Sequence, residues 1–504
     1  MQFELDQERV NRIFSARNTD FGDFLRKGME FYYDNPEVER IILACQNRVG
    51  LEKKRQRVWE AQQRGQGSFG WYEGGAPDVS ELLTGRPRMH PHNVFLFYLA
   101  CSYADGVCKA DARALIMESE SLRALLHCST KRMPGITTIL EQVNQIEAHS
   151  SERILQLQLR WLARKDASPQ WQEMVVDSTA IRANAAHPCD SALLVESLDA
   201  LLRQYRRIHE MLGVEMAISP KVEKWHKQAH IQHRQMGMMR KKAGAKKRIR
   251  QGYRGMLHAS VKILNHLIQH EQKWMHEAVE KTLLLSIARR SRFEKQRARY
   301  RHYLHTIVRL IEQSHMRVFE GKHLNMAHKI MSNKDPDAVI VSKGQREAVF
   351  GHKLQAGFNR AGYCCAFLLN KGNGSDSRSL HEVLSRSIEN TGIKVIALSV
   401  DDGYAGAKTQ REVTKLGVQY FSVSGAKGKR QQGEVLWNDP TIQELRNWRS
   451  AGESRISTIK QRQHLRRLRR SSRSAVEAEI ISKIFAYNLC TYQRRLLSRL
   501  RKAA

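Results

Sequence analysis

From Asp337 the chain alternates short apolar runs with amphipathic ones, and this change of period most limits what it can fold into. "DAVIVSKGQREAVFGHKLQAGFNRAGYCCAFLLN" reads as paired strands with a turn near Asn359 to Gly362. A polar loop, "KGNGSDS", precedes an amphipathic helix in "RSLHEVLSRSIENTG". "IKVIALSV" then reads as a buried strand, "AKTQREVTKLG" as a helix and "VQYFSVSG" as another strand. An earlier run, "WQEMVVDSTAI", has the same β-branched texture. Strands joined by helices in this order imply a mixed α/β sheet, with its functional edge at strand C-terminal ends.

Between the first strand and Asp337 the pattern is helical, from Ser191 to about Gly321. Inside it, "MMRKKAGAKKRIRQGYRG" carries eight basic residues and no acid; it reads equally as a solvated loop and as an arm tracking phosphates. Ahead of the first strand, the Gly-rich "GQGSFGWYEGGAP" reads as a linker. The block after it, with turns at Asp105-Gly106 and Pro134-Gly135, suits either a helix-turn-helix unit or a plain helical bundle.

Charge sets the partner class. The 504 residues carry 84 Lys and Arg against 51 Asp and Glu, for a net charge of +33 and 41% hydrophobic content. A globular chain this basic is expected to bind polyanions with strong salt dependence, and nucleic acid is the expected partner. The opening "MQFELDQERVNR" lacks a basic segment followed by an apolar one, so no secretory signal is expected. "NVFLFYLACSYA" is too short to span a bilayer. The expectation is a soluble, cytoplasmic, nucleoid-associated protein with no membrane partner. Eight scattered cysteines without C-x-x-C give neither a disulfide framework nor a zinc ribbon. His226, His230 and His233 share helical spacing, but without a nearby Cys or acid they read as a solvated helix face, and no zinc is assigned.

Three acids stand apart from this background. Asp177 ends the apolar run "MVV", and Asp401 directly follows "VIALSV". A carboxylate at the tip of a buried strand needs a cation, a donor cluster or solvent, although each also reads as an ordinary strand-ending turn residue. Glu453 is one of only three glutamates among sixteen Lys and Arg from Arg446 to Ala504, and it reads either as an incidental i,i+4 ion pair with Arg449 on a wet helix or as a group that holds something nucleic acid needs. Arg449, Glu453 and Lys460 fall within roughly 40° of one another on a helix. Carboxylates from separate elements can hold two Mg²⁺ ions about 3.5–4 Å apart, which is the chemistry of in-line attack at phosphorus.

Four stretches together resemble the DDE transposases of bacterial insertion sequences. "VVDSTAIRANAAHPCDSALL" resembles the first block, with Asp177 leading and Asn184, Pro188, Asp190, Ser191, Leu193 and Leu194 following. The run to "FGHK" resembles the approach to the second strand, ending at Phe350, Gly351 and Lys353. "SVDDGY" is similar to the D-x-G-Y block and selects Asp401 over Asp402. "RSAGESRISTIK" fits R-x-x-x-E-x-x-x-x-x-x-K. Many relatives have Tyr three residues before that Arg, where this chain has Arg446.

The resemblance implies an RNase H-like mixed sheet with a long helical insertion after the first strand and a helical block before it; the residue patterns add an all-helical N-terminal region and a basic helical tail. The resemblance covers roughly His90 to Lys460; with the residue patterns and charge on either side, the expected division is 1–165 (helical, DNA-binding of helix-turn-helix type), 166–472 (catalytic, insertion about 191–325) and 473–504 (basic helix whose charge suits a DNA-backbone contact surface). The resemblance implies an enzyme that binds the terminal inverted repeats of its element and performs cleavage and strand transfer on double-stranded DNA. Asp177, Asp401 and Glu453 would hold two Mg²⁺ ions, with Mn²⁺ as a substitute, and Arg449 and Lys460 would position phosphates. Pairing of two element ends implies a homo-oligomer. The rival readings are a non-catalytic DNA-binding regulator and a two-metal DNA nuclease on the same fold.

Overall fold

A computed structural model describes residues 20–49, 89–103, 134–184, 189–212, 219–239, 244–284, 287–324, 329–333, 335, 337–341, 348–370, 372 and 374–503. The expected linker "GQGSFGWYEGGAP", the Asp105-Gly106 turn, Pro188 and the Arg240–Lys242 part of the basic run lie outside the described residues. The chain forms two compact units. Described residues within 1–50, 83–184 and 337–504 supply one, and those within 185–336 supply the other.

The first unit is built on a mixed sheet of six strands: β1 (Glu173–Arg182), β2 (Val339–Val341), β3 (Val349–Asn359), β4 (Cys364–Leu369), β5 (Ala397–Val400) and β6 (Tyr420–Val423). Its order is β2-β3-β1-β5-β6, with β4 also paired to β3. β1 runs antiparallel to β3 with Asp177 opposite Ala356, and parallel to β5 with Val175 opposite Ser399. A side chain at position 351 would collide with β1, since a Cβ there would lie 1.8 Å from the Ile181 carbonyl oxygen. Gly351 is therefore what lets the two longest strands close up. The fully buried β4 matches the apolar run "CCAFLL".

Seven helices of this unit matter below: α1 (Asp20–Asp34), α2 (Pro91–Tyr103), α3 (Ile136–Asn144), α4 (Ala148–Lys165), and, after the second unit, α9 (Asp376–Thr391), α13 (Ser450–Arg462) and α14 (Arg473–Ala503). Helix α9 buries Leu380, Val383 and Leu384 in the core that the strands share. The same core takes Phe31 of α1, Phe95 of α2, Trp161 of α4 and Phe485 of α14. Their rings meet edge-on, Phe31 being 5.7 Å from Trp161 and 5.5 Å from Phe485. The expected borders near 165 and 472 thus fall inside one packed unit. Helix α14 is no detachable tail: Ile480, Ile481, Ile484, Phe485 and Leu489 are buried, and Arg495 and Arg499 both close on the buried carboxylate of Asp166. The basic residues of "QRRLLSRLRK" occupy its last turns, beyond the apolar stretch.

Between β5 and α13 lie α10 (Ala407–Lys415), α11 (Gly425–Trp437) and α12 (Pro440–Trp448). The sequence reading missed the last two. The signal for α12 was present in Asp439-Pro440: Asp439 accepts from the Thr441 and Ile442 N–H groups at 2.9 and 3.1 Å, and Pro occupies the first helical position.

The second unit is helical: α5 (Asp190–Leu212), α6 (Pro220–Met239), α7 (Ala245–Leu284) and α8 (Ile287–Val318). Leu194, Leu198, Tyr205, Val222, Met256, Ile263, Tyr300 and Leu310 form its own core. Buried Asp190 ties α5 to α8 through Arg317 and through Gln313 at 2.8 Å. No described helix is long and apolar enough to cross a membrane.

Candidate active site

The parallel register of β1 and β5 brings the first two acids together. Val175 faces Ser399, so two residues further along Asp401, just past the end of β5, comes beside Asp177, which lies midway along β1 and does not end it. Asp177 is buried, and its Oδ1 accepts the Ser178 N–H at 2.7 Å. Asp401 opens a single 3-10 turn over Asp402–Tyr404, its Oδ1 accepting the Gly403 N–H at 2.9 Å.

The adjacent acid is occupied elsewhere. Asp402 Oδ1 accepts from Lys427 and Gly428 N–H at 2.8 and 3.1 Å, which caps the start of α11.

A fourth acid escaped the sequence reading. Asp376, at the start of α9, accepts from Lys353 Nζ at 2.9 Å and from Gln355 Nε2 at 3.0 Å. It borders Asp401 across Gly403, where a Cβ would lie 3.1 Å from Asp401 Oδ1 and 3.4 Å from Asp376 Oδ2. Nothing in the local sequence separates Asp376 from an ordinary acid in the first turn of a helix. Only the pairing of β3 beneath it brings Lys353 and Gln355 into reach. Tyr404 is buried against this group and donates its hydroxyl to Gln355 Oε1 at 3.1 Å. Burial drives its phenol pKa far up, and the charges of Asp376, Asp177 and Asp401 push the same way.

Helix α13 lies across β1 at the same place. Gly452 makes the approach possible, because a Cβ there would lie 3.0 Å from Val175 Cγ2 and 3.7 Å from Asp177 Cβ. Glu453 is the next residue, with its side chain 57% exposed and its Oε1 2.9 Å from Arg449 Nη1. Two turns on, Lys460 Nζ donates to the Ala180 carbonyl at 2.8 Å and fastens α13 along β1. The helical face read from the spacing of Arg449, Glu453 and Lys460 exists, and Lys460 reaches from it to the strand carbonyl. Asp177, Asp401 and Glu453 do not, among the described residues, form a group whose ligand atoms all lie within 4.8 Å of one another. Arg449 holds Glu453 instead. Arg446, at the family's Tyr position, stacks its guanidinium 3.8 Å from the centre of the Trp437 ring.

Beyond α13 the chain doubles back along the end of β1. Arg182 N–H donates to the Arg466 carbonyl at 3.2 Å, and Leu468 N–H to the Arg182 carbonyl at 2.8 Å. Buried Glu479 accepts the N–H groups of Arg469 and Arg470 at 3.0 Å each. This anchored segment leaves Arg466, Arg467 and Arg469 lining one open cleft with Lys460, Gln461 and His464.

In comparison with known families, residues 305–489 match the family model of the transposase DDE domain. That stretch, rather more than a third of the chain, is similar to the DDE domain of transposases. The matched stretch begins within α8 and ends within α14, taking in Asp401, Arg449, Glu453 and Lys460, while Asp177 lies ahead of it. Neither the curated proteins nor the solved structures contain a match to the chain. Domains of this family act on DNA and generally use divalent metal ions. The acids gathered around Tyr404 offer carboxylate oxygens, the hard ligands such ions prefer.

Proposed function

We propose that this chain is a transposase that binds the terminal inverted repeats of an insertion sequence, cuts the DNA at their ends and joins the freed 3′ hydroxyl to target DNA, on an RNase H-like core. The observation that carries the reading is the strand register that sets Asp177 beside Asp401, with Gly452 seating the first turn of α13 on Asp177.

Asp177, Asp401 and Glu453 would hold two Mg²⁺ ions, and Mn²⁺ would substitute. Bound there, the ions would activate the attacking oxygen and stabilise the leaving oxygen at phosphorus. The chain's own residues do the rest. Asp177 and Asp401 are oriented by the backbone N–H groups of Ser178 and Gly403, which hold one oxygen of each carboxylate in place. Glu453 sits on an exposed helix turn paired with Arg449, and were it to hold a metal ion instead, that guanidinium would be available to a phosphate. Lys460 fixes the distance between α13 and β1, and the Arg466 to Arg469 cleft supplies cations to the DNA backbone. Arg cannot give up its proton, so the guanidinium groups here do not serve as general acids. Synapsis of two ends would require at least two copies of the chain.

The test is incubation of the purified protein with Mg²⁺ and a DNA carrying the inverted repeats that flank its coding region. End-specific cutting with strand joining is the expected result. Cutting without joining would make the protein a nuclease, and retention of uncut DNA would make it a binding regulator.

A further inference from the structure

The helical unit carries a second group of ligating side chains, unrelated to the carboxylates above. His226 and His230 stand one turn apart on α6, and their rings meet edge to face at 4.7 Å. The acid that the surrounding sequence lacks comes from α5: Asp199 Oδ1 lies 2.6 Å from His226 Nε2 and 2.8 Å from His230 Nε2. All three side chains are partly exposed, and their ligand atoms all lie within 4.8 Å of one another.

We propose that Asp199, His226 and His230 form a binding site for one first-row transition metal ion, Zn²⁺ foremost, that clamps α5 to α6. Two imidazoles and one carboxylate are borderline donors that suit Zn²⁺, Co²⁺ or Ni²⁺, whereas Mg²⁺ prefers oxygen alone. Spacing of four residues on one helix is what lets two imidazoles face a single ion. Around a tetrahedral Zn²⁺ with bonds of about 2.0–2.2 Å, neighbouring ligand atoms stand roughly 3.3 Å apart. The oxygen reaches that spacing from both nitrogens when the partly exposed Asp199 carboxylate backs away by about half an ångström or slightly more, and the two nitrogens already lie within 4.8 Å of each other. Metal replaces the two hydrogen bonds to the carboxylate: each Nε2 turns its lone pair to the ion and its proton moves to Nδ1. The remaining coordination position opens to water, as in sites with three protein ligands.

The test uses the full chain, stripped with a chelator and titrated with Zn²⁺ and Co²⁺. Wild type should bind one more equivalent than His226→Ala or His230→Ala, whose affinity for that equivalent should fall by more than the about 10–100-fold that outer-shell changes cost. Zn²⁺ should raise the Tm of wild type and leave that of His226→Ala unmoved. Bound Co²⁺ should show visible bands of a nitrogen and oxygen site without the near-ultraviolet absorption of thiolate, which separates it from ions held by the eight cysteines. Asp199→Asn keeps the shape and the hydrogen bonds, and should lose the ion while melting like the metal-free wild type. Asp177→Ala should retain the equivalent, so loss of DNA cleavage and loss of this ion are read separately. Equal stoichiometry in wild type and both histidine variants, or no Zn²⁺-dependent change in Tm, would overturn the proposal.

Discussion

Adjacent residues Asp401 and Asp402 show how little local sequence says about role. Both follow the same strand, yet one carboxylate stands beside Asp177 and the other holds the first N–H groups of α11. Substitution should part them cleanly. Asp177→Asn, Asp401→Asn and Glu453→Gln should each lower cleavage by at least about a hundredfold, the scale of losing one charge-stabilising group, while DNA retention in a gel stays near wild type. Asp402→Ala should leave cleavage in place and cost about 1 kcal/mol of stability through the lost cap, visible as a lower urea midpoint. If Asp402→Ala abolished cleavage and Asp401→Asn did not, the two roles would be exchanged.

At the scale of elements, close approach decides what α13 can do. Gly452→Ala would add a Cβ 3.0 Å from Val175 Cγ2, and buried, β-branched Val175 has little freedom to yield. The helix would ride outward by a few tenths of an ångström and take Glu453 with it. Cleavage should drop about tenfold, on a scale where a misplacement of about 1 Å costs about a hundredfold, with little change in Tm because Ala favours helix over Gly. Gly351→Ala is a different case, since its Cβ would meet a backbone carbonyl; it should destabilise the sheet by more than about 3 kcal/mol in denaturant melts. In the helical unit, buried His209 has its pKa pulled down from 6.5 to about 4 by burial, with the charge of His270 adding to it. A base with a lowered folded-state pKa favours the native state above its unfolded value, and that contribution fades as pH falls from 6.5 through 4. His209→Leu should therefore remove part of the loss of Tm over that interval; identical pH profiles for variant and wild type would refute this.

For the whole molecule, a net charge of +33 makes DNA binding a matter of counterion release. Arg466 and Arg467 sit on a segment pinned to β1 and to Glu479 through its backbone, so removing their charge should leave the fold intact. Arg466→Gln with Arg467→Gln should reduce the slope of log affinity against log salt by about 0.9 for each phosphate that these side chains neutralise. An unchanged slope would show that the DNA runs elsewhere. Truncation after Lys460 should unfold the first unit outright, because α14 carries Phe485 and its neighbours into the common core; circular dichroism would register that loss before any binding assay.

Periodicity and punctuation in the sequence were enough to set out the strands, most helices and the mixed sheet, because burial on a pleated surface or a helix stripe leaves a period in the residues themselves. Asp177, Asp401 and Glu453 could be picked out because an acid after an apolar run, or alone among cations, breaks the local pattern, although Asp177 proved to lie within β1 and not at its end. What the tertiary structure alone decided was every relation across distance. It turned Asp402 away, brought Asp376 in, sent Lys460 to a strand carbonyl and buried a helix whose charge had marked it as a tail. It also delivered Asp199 to two histidines from 27 and 31 residues away. Such contacts depend on strand register and on how closely two helices cross, and neither quantity is written in any one stretch of the chain.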